Sequence, residues 1–186
     1  MTAMRFILCM NGEEASFFAQ LLGNRSGACH HATSKSDLRQ LVDDLNGPTR
    51  LISFCSDLII PADVIDALGG ECFNFHSGPP DRPGYRPVSF AAAEGERDYG
   101  VTFHRLVAKI DAGTIYATRR FVLPADATEE TISELAYAHL LELARVVAPM
   151  LVSATAEFRH NGETWQGAPT TRADYAELKS RRADFS

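Results

Sequence analysis

Short continuous apolar runs that take turns with helical patterns fill residues 4–75, and this alternation leaves the chain few architectures. Residues 4–10 (MRFILCM) form an apolar run of strand length, continuous but for Arg5 and punctuated by Asn11-Gly12. EEASFFAQLL follows, with Phe17, Phe18, Leu21 and Leu22 at helical spacing. A polar stretch around His30 and His31 predicts a weak strand, and residues 36–45 predict a second helix with Leu38, Leu41, Val42 and Leu45 on one face. Residues 50–55 (RLISFC) read as a buried strand, PADVIDAL as a helix with Pro61 in its first turn, and residues 71–75 as another strand. Strands separated by helices need crossover connections, which predicts a parallel sheet.

The pattern changes after His76. SGPPDRPGYRP holds four prolines and two glycines in eleven residues, a composition that predicts a stiff loop. VSFAAAEG predicts a short helix closed by Gly95, and residues 101–107 and 114–122 predict two strands tightly connected by KIDAG. A long amphipathic helix is expected from Thr128 towards Pro149, opened by an N-cap and an acidic first turn. Residues 151–186 predict a strand or hairpin and a terminal helix, an extension packed on the domain formed by residues 1–150.

Composition removes several classes of function. The chain has 186 residues, 45% of them hydrophobic, but no apolar run near twenty, so a membrane span is not expected. The start has no signal-peptide pattern, which predicts a cytoplasmic protein. A net charge of −6 has the wrong sign for a nucleic-acid binder, and Lys179, Arg181 and Arg182 read as a solvated cluster near the C-terminus. Cys9, Cys29, Cys55 and Cys72 show no C-x-x-C pair; three lie in apolar runs and are expected to be buried and reduced. His30-His31 has no carboxylate or cysteine at ligand spacing, so no metal is expected. Asn11-Gly12 is a turn signal rather than a phosphate-loop or dinucleotide fingerprint.

The candidate chemistry lies in Asn74, His76 and Asp111. In an open α/β sheet, ligands bind outside the carboxyl ends of the strands. Period-two alternation sends Asn74 and His76 to one side of their strand and Phe73 and Phe75 to the other. An amide, an imidazole and a carboxylate suit acyl transfer to an amine, which needs oxyanion stabilisation, proton management and a charge to hold the imidazole. Taken singly, each has a plainer reading: Asn74 as a turn cap, His76 as a satisfied buried histidine, Asp111 as turn chemistry before glycine. His104, alternating with Val and Phe in VTFHRL, reads as a strand-face residue.

In sequence order the chain carries NFHSGPP, GYRP, YGVTFHRL and KIDAGTIY. Together they resemble the catalytic domain of the formyltransferase family, which includes glycinamide ribonucleotide, methionyl-tRNA and sugar amine formyltransferases. Members look like N-x-H-P, then a proline-rich loop with a glycine, then G-V-T, then D-x-G; here Asn74, His76, Gly84, Gly100-Val101-Thr102 and Asp111-Ala112-Gly113 fall in that order. The resemblance covers residues 4–149. Two segments depart from it. Ser77 stands where the family has proline and SGPPDRPG replaces its usual S-L-L-P loop, while Ser56 and Asp57 precede an otherwise matching Ile59-Ile60-Pro61 core.

The resemblance implies a single Rossmann-like α/β domain with a mainly parallel sheet flanked by helices. It also implies formyl transfer from 10-formyltetrahydrofolate to a small-molecule amine, either an amino sugar nucleotide or an amino-acid-derived amine. Asn74, His76 and Asp111 would be catalytic. Leu58, Ile59, Ile60, Ala112 and Gly113 would bind the folate largely through backbone groups, and Gly78, Pro79, Tyr85 and Arg86 would meet the acceptor. Transfer to initiator tRNA is disfavoured, since that enzyme appends a nucleic-acid-binding domain for which no residues remain and the charge is wrong. The alternatives are formyltetrahydrofolate hydrolysis and a non-catalytic folate-binding module.

Overall fold

A computed structural model describes residues 3–23, 26–44 and 47–183. Its strands are β1 (Met4–Cys9), β2 (Ser26–His31), β3 (Thr49–Phe54), β4 (Cys72–His76), β5 (Asp98–Arg105) and β6 (Ile115–Val122). Its helices are α1 (Gly12–Leu22), α2 (Lys35–Asp43), α3 (Ala62–Ala67), α4 (Pro87–Glu94), α5 (Glu129–Leu151) and α6 (Arg172–Ala183). The strands form one sheet in the order β2-β1-β3-β4-β5-β6. Where helices intervene, β1 pairs parallel with β2 and β3, and β3 with β4. β5 runs antiparallel to β4, and β6 antiparallel to β5. Leu45, expected on the face of α2, lies outside the described residues.

Phe6, Phe18, Phe54, Phe73, Phe75 and Phe103 are all fully buried in one cluster with residues of α1 and α5. Removing such a ring from water is worth about 2 kcal/mol each. The other face buries Ile7, Leu51 and Cys72 against Leu38 of α2 and Val64 and Ile65 of α3. Period two in β4 sends Phe73 and Phe75 into the first cluster and frees the opposite face for polar groups.

Local rules explain most helix ends. Asn11 is the N-cap of α1 rather than a free turn: its side chain accepts from Glu13 and Glu14 N–H, and the Glu14 carboxylate accepts from Asn11 N–H. Thr128 caps α5 as expected, and Gly95 closes α4 in the left-handed region. The C-terminus of α5 is held by Arg50, only 4% exposed, whose Nη1 donates to the carbonyls of Met150, Leu151 and Ser153 at 2.6–3.1 Å. A cation there meets the negative end of the helix.

Two local expectations fail. Residues 152–171 form no strand or hairpin; their backbone groups bond outward instead, Asn161 N–H to Ile115 O, Gln166 N–H to Pro80 O and Thr170 N–H to Pro83 O. Cys9 and Cys72 are buried, and desolvation pushes both thiols up to about 12. Cys55 is exposed as a residue with a positive φ of 47°, because the chain turns sharply out of the sheet where β3 ends, yet desolvation and Glu14 push its thiol up to about 12 as well. Lys179 and Arg181 are exposed on α6, as expected of a solvated cluster. Among the described residues no helix is long and apolar enough to cross a membrane.

Candidate active site

Asn74 and His76 emerge on the same face of β4, and Asn74 is the register partner of His104 on β5. Register partners on adjacent strands stand side by side, and Asn74 Nδ2 lies 3.1 Å from His104 Nε2. His104 Nδ1–H donates to Arg105 O at 2.8 Å, and Nε2 faces both the Asn74 amide and Asp111 Oδ1. His104 is 1% exposed and belongs to the cluster rather than to an anonymous strand face. Alternation alone placed it on the face of Thr102; only the β4–β5 register places it beside Asn74.

Asp111 arrives by an indirect route. Arg105, the last residue of β5, pairs with Phe73 near the start of β4, so the following connection begins at the far end of the strand from His76. Residues 106–114 fold back over the sheet face and are no tight turn. The turn closes through Arg105 N–H to Thr114 O at 2.9 Å. Gly113 packs so closely on the Arg105 carbonyl that any Cβ would collide with backbone, which is why D-A-G ends in glycine. Asp111 itself has φ +40°, a left-handed conformation that costs a non-glycine residue about 1 kcal/mol or more and must be held by its contacts.

Those contacts are specific. Asp111 Oδ2 accepts from Gly84 N–H at 2.7 Å and lies 3.5 Å from His76 Nδ1, while Oδ1 lies 3.4 Å from His104 Nε2. Burial raises the carboxyl's pKa, but the two imidazoles and the Gly84 amide more than offset it and hold the group well below the usual carboxylate range. His76 Nε2–H donates to Arg82 O at 2.8 Å, so Nδ1 is the nitrogen turned towards Asp111. A proton on Nδ1 therefore meets a carboxylate that stays ionised.

Two cavities meet at Asn74 and His76. The larger, about 710 Å³, is lined by Ser56, Asp57, Leu58, Ile59, Ile60, Leu106, Val107 and Ile110 together with Asn74, His76, His104 and Asp111. Exposed Ile59, Val107 and Ile110 give it an apolar rim. The smaller, about 300 Å³, lies towards α4 and α5 and adds Ser77, Arg86, Ser89, Glu129 and Tyr137 to Asn74, His76 and Tyr85, which line both. Leu58 to Ile60 line the larger cavity, Arg86 the smaller, and Tyr85 both. Asp57 is a largely exposed side chain 3.8 Å from Arg86.

Four expected contact residues lie elsewhere. Ala112 and Gly113 line a separate hollow behind the turn, because the fold-back that delivers Asp111 turns them away from the larger cavity. Gly78 and Pro79 are buried beneath the loop: Gly78 O accepts from Thr102 Oγ1 at 2.8 Å, and a Cβ on Gly78 would meet His76 Nε2 at 2.7 Å. Their place supports His76 from behind. The loop is further pinned by Tyr99 OH to Ser77 O and by Arg82, which pairs with Glu94 and Glu96.

Sequence reasoning also missed Trp165. Its Nε1–H donates to Gly113 O at 2.8 Å, and its ring stands edge-on to His104 and His76 with centroids 4.8 and 5.5 Å away. A lone tryptophan in an irregular segment gives no local signal of this.

A family model described as formyl transferase matches residues 15–142. Among solved structures, a 4-N formyltransferase from Francisella tularensis superimposes with a TM-score of 0.76 at 16% identity, over 94% of this chain and 78% of the other. The formyltransferase PseJ from Anoxybacillus kamchatkensis, in complex with UDP-4,6-dideoxy-4-formamido-L-AltNAc and tetrahydrofolate, gives 0.71 at 17% identity over 95% and 90%. Glycinamide ribonucleotide transformylase 1 from Symbiobacterium toebii gives 0.66 at 15% over 81% and 88%. At these identities the structures share the fold.

Proposed function

The chain belongs to the formyl transferase family, and from that premise we propose that it moves the formyl group of 10-formyltetrahydrofolate to the amine of a small molecule, an amino sugar nucleotide or an amino-acid-derived amine. The observation that carries this reading is the meeting of two cavities at Asn74 and His76, one large with an apolar rim and one small and polar. A reaction that joins a flat heteroaromatic donor to a compact acceptor needs this arrangement. The apolar walls at Leu58, Ile60, Leu106 and Val107 suit the donor's rings, and the backbone of residues 56–60 supplies amides and carbonyls to read them. The solved neighbour in complex with tetrahydrofolate and a formamido sugar nucleotide supports the same pairing.

The roles follow from the geometry. Attack by the amine nitrogen makes the new C–N bond and turns the formyl oxygen into an oxyanion. Asn74 Nδ2, 3.1 Å from His104 Nε2, supplies an amide hydrogen to that oxygen. One such preorganised donor is worth about 3 kcal/mol. The proton shed by the amine passes to the His76 side of the site, where a charge on Nδ1 is stabilised by Asp111 at 3.5 Å. With its pKa held so low, Asp111 is a weak base and acts chiefly as a fixed negative charge. The C–N bond to the donor then breaks, with the proton returned to the leaving nitrogen.

The test is tetrahydrofolate release from 10-formyltetrahydrofolate across a panel of amines. Amine-dependent release with a matching formamide product supports the reading. Release without amine would make the protein a hydrolase, and tight folate binding without release a binding module.

A further inference from the structure

We infer that Trp165 is a positioning residue for formyl transfer, holding the Asp111 turn in its strained conformation and closing the His76–Asp111–His104 cluster from water; this rests on the function proposed above. The cluster's carboxylate sits on a backbone with φ +40°, so the turn relaxes unless something outside it pins it. Within the turn, Gly113 packs closely on the Arg105 backbone. The outside restraints on both ends are Gly84 N–H on the carboxylate at 2.7 Å and the Trp165 indole N–H on Gly113 O at 2.8 Å.

The indole is itself fixed. Asn161, Gln166 and Thr170 bond through backbone N–H groups to Ile115 O, Pro80 O and Pro83 O, which ties the segment on either side of Trp165 to β6 and to the proline-rich loop. Its ring then walls both imidazoles, at interplanar angles of 84° to His104 and 76° to His76. Edge-on aromatic contact keeps the rings dry without competing for their nitrogens.

Two variants separate the hydrogen bond from the wall. Trp165→Phe keeps a ring and loses the donor; Trp165→Ala loses both. The expected result is a fall in kcat of about tenfold for Phe and more for Ala, with the folate dissociation constant changed by less than about threefold. An activity-independent readout is the hydrogen exchange of the Gly84 amide, whose acceptor is Asp111. It should quicken by about tenfold or more in Trp165→Ala while core amides of β1 and β3 stay protected. Unchanged Gly84 exchange overturns the inference, as does an unchanged kcat or a loss no larger than the loss of folded protein by circular dichroism. If the unaltered protein releases no tetrahydrofolate with any amine, the proposed function falls, and Gly84 exchange alone still decides whether Trp165 holds Asp111.

Discussion

Replacing Asp111 by Asn keeps the shape of the side chain and removes its charge, so it isolates what the carboxylate does. Asp111 is 8% exposed, with His76 Nδ1 at 3.5 Å and His104 Nε2 at 3.4 Å. At an effective dielectric of about 20, a unit charge at that distance attracts positive charge developing on the imidazole in the transition state by about 5 kcal/mol. Removing one preorganised electrostatic group from an active site costs about 3 kcal/mol of this, or about a hundredfold in kcat. The amide still accepts from Gly84 N–H, so folding and folate affinity should survive. Single-turnover tetrahydrofolate release measures the rate, and the emission of the single tryptophan beside the site measures folate binding. A second signature is the pH dependence of stability. The folded carboxyl titrates below its unfolded value, so its contribution is fully present above about pH 4 and is lost as pH falls towards the folded value. The stability gap between wild type and Asp111→Asn should therefore be widest above about pH 5 and close in acid. A kcat within threefold of wild type, or a gap that does not change with pH, would refute the electrostatic role.

Asn74→Ala and His76→Ala should each lower turnover by about a hundredfold or more with folate affinity largely kept, since their donors act on charge present only in the transition state; single-turnover rates check this. Asp57→Ala should change folate affinity by less than about tenfold, roughly 1.4 kcal/mol, because its side chain is 68% exposed and the backbone that would read the ring remains; calorimetry that finds a much larger loss shows the carboxylate itself grips the ligand. Arg50→Ala removes the buried guanidinium that donates to the carbonyls of Met150, Leu151 and Ser153 and leaves Glu71 with Arg105 as its remaining cation. We expect a destabilisation of about 3 kcal/mol in urea unfolding and unchanged kcat in the folded fraction.

The alternation of strands and helices up to β4 could be read from residues 4–75 because it is local: run length, period and punctuation are set by near neighbours along the chain. The same holds for the shared face of Asn74 and His76, which follows from period two. The order of motifs around Asn74, His76 and Asp111 was enough to mark a formyltransferase-like chain. Period, however, names a face and not a neighbour. That His104 stands beside Asn74 depends on β5 pairing antiparallel with β4 in one register, and that Asp111 reaches both histidines depends on residues 106–114 doubling back across the sheet. Ala112 and Gly113 turn away from the larger cavity for the same reason. Residues 152–171 looked like a strand because their apolar pieces are short; they lack a sheet partner and bond instead to loops far away in sequence, which carries Trp165 onto the cluster. Hydrogen bonds and ring contacts between residues dozens of positions apart leave no periodic trace, so the tertiary structure alone decided which groups surround the carboxylate and how far its charge is held from water.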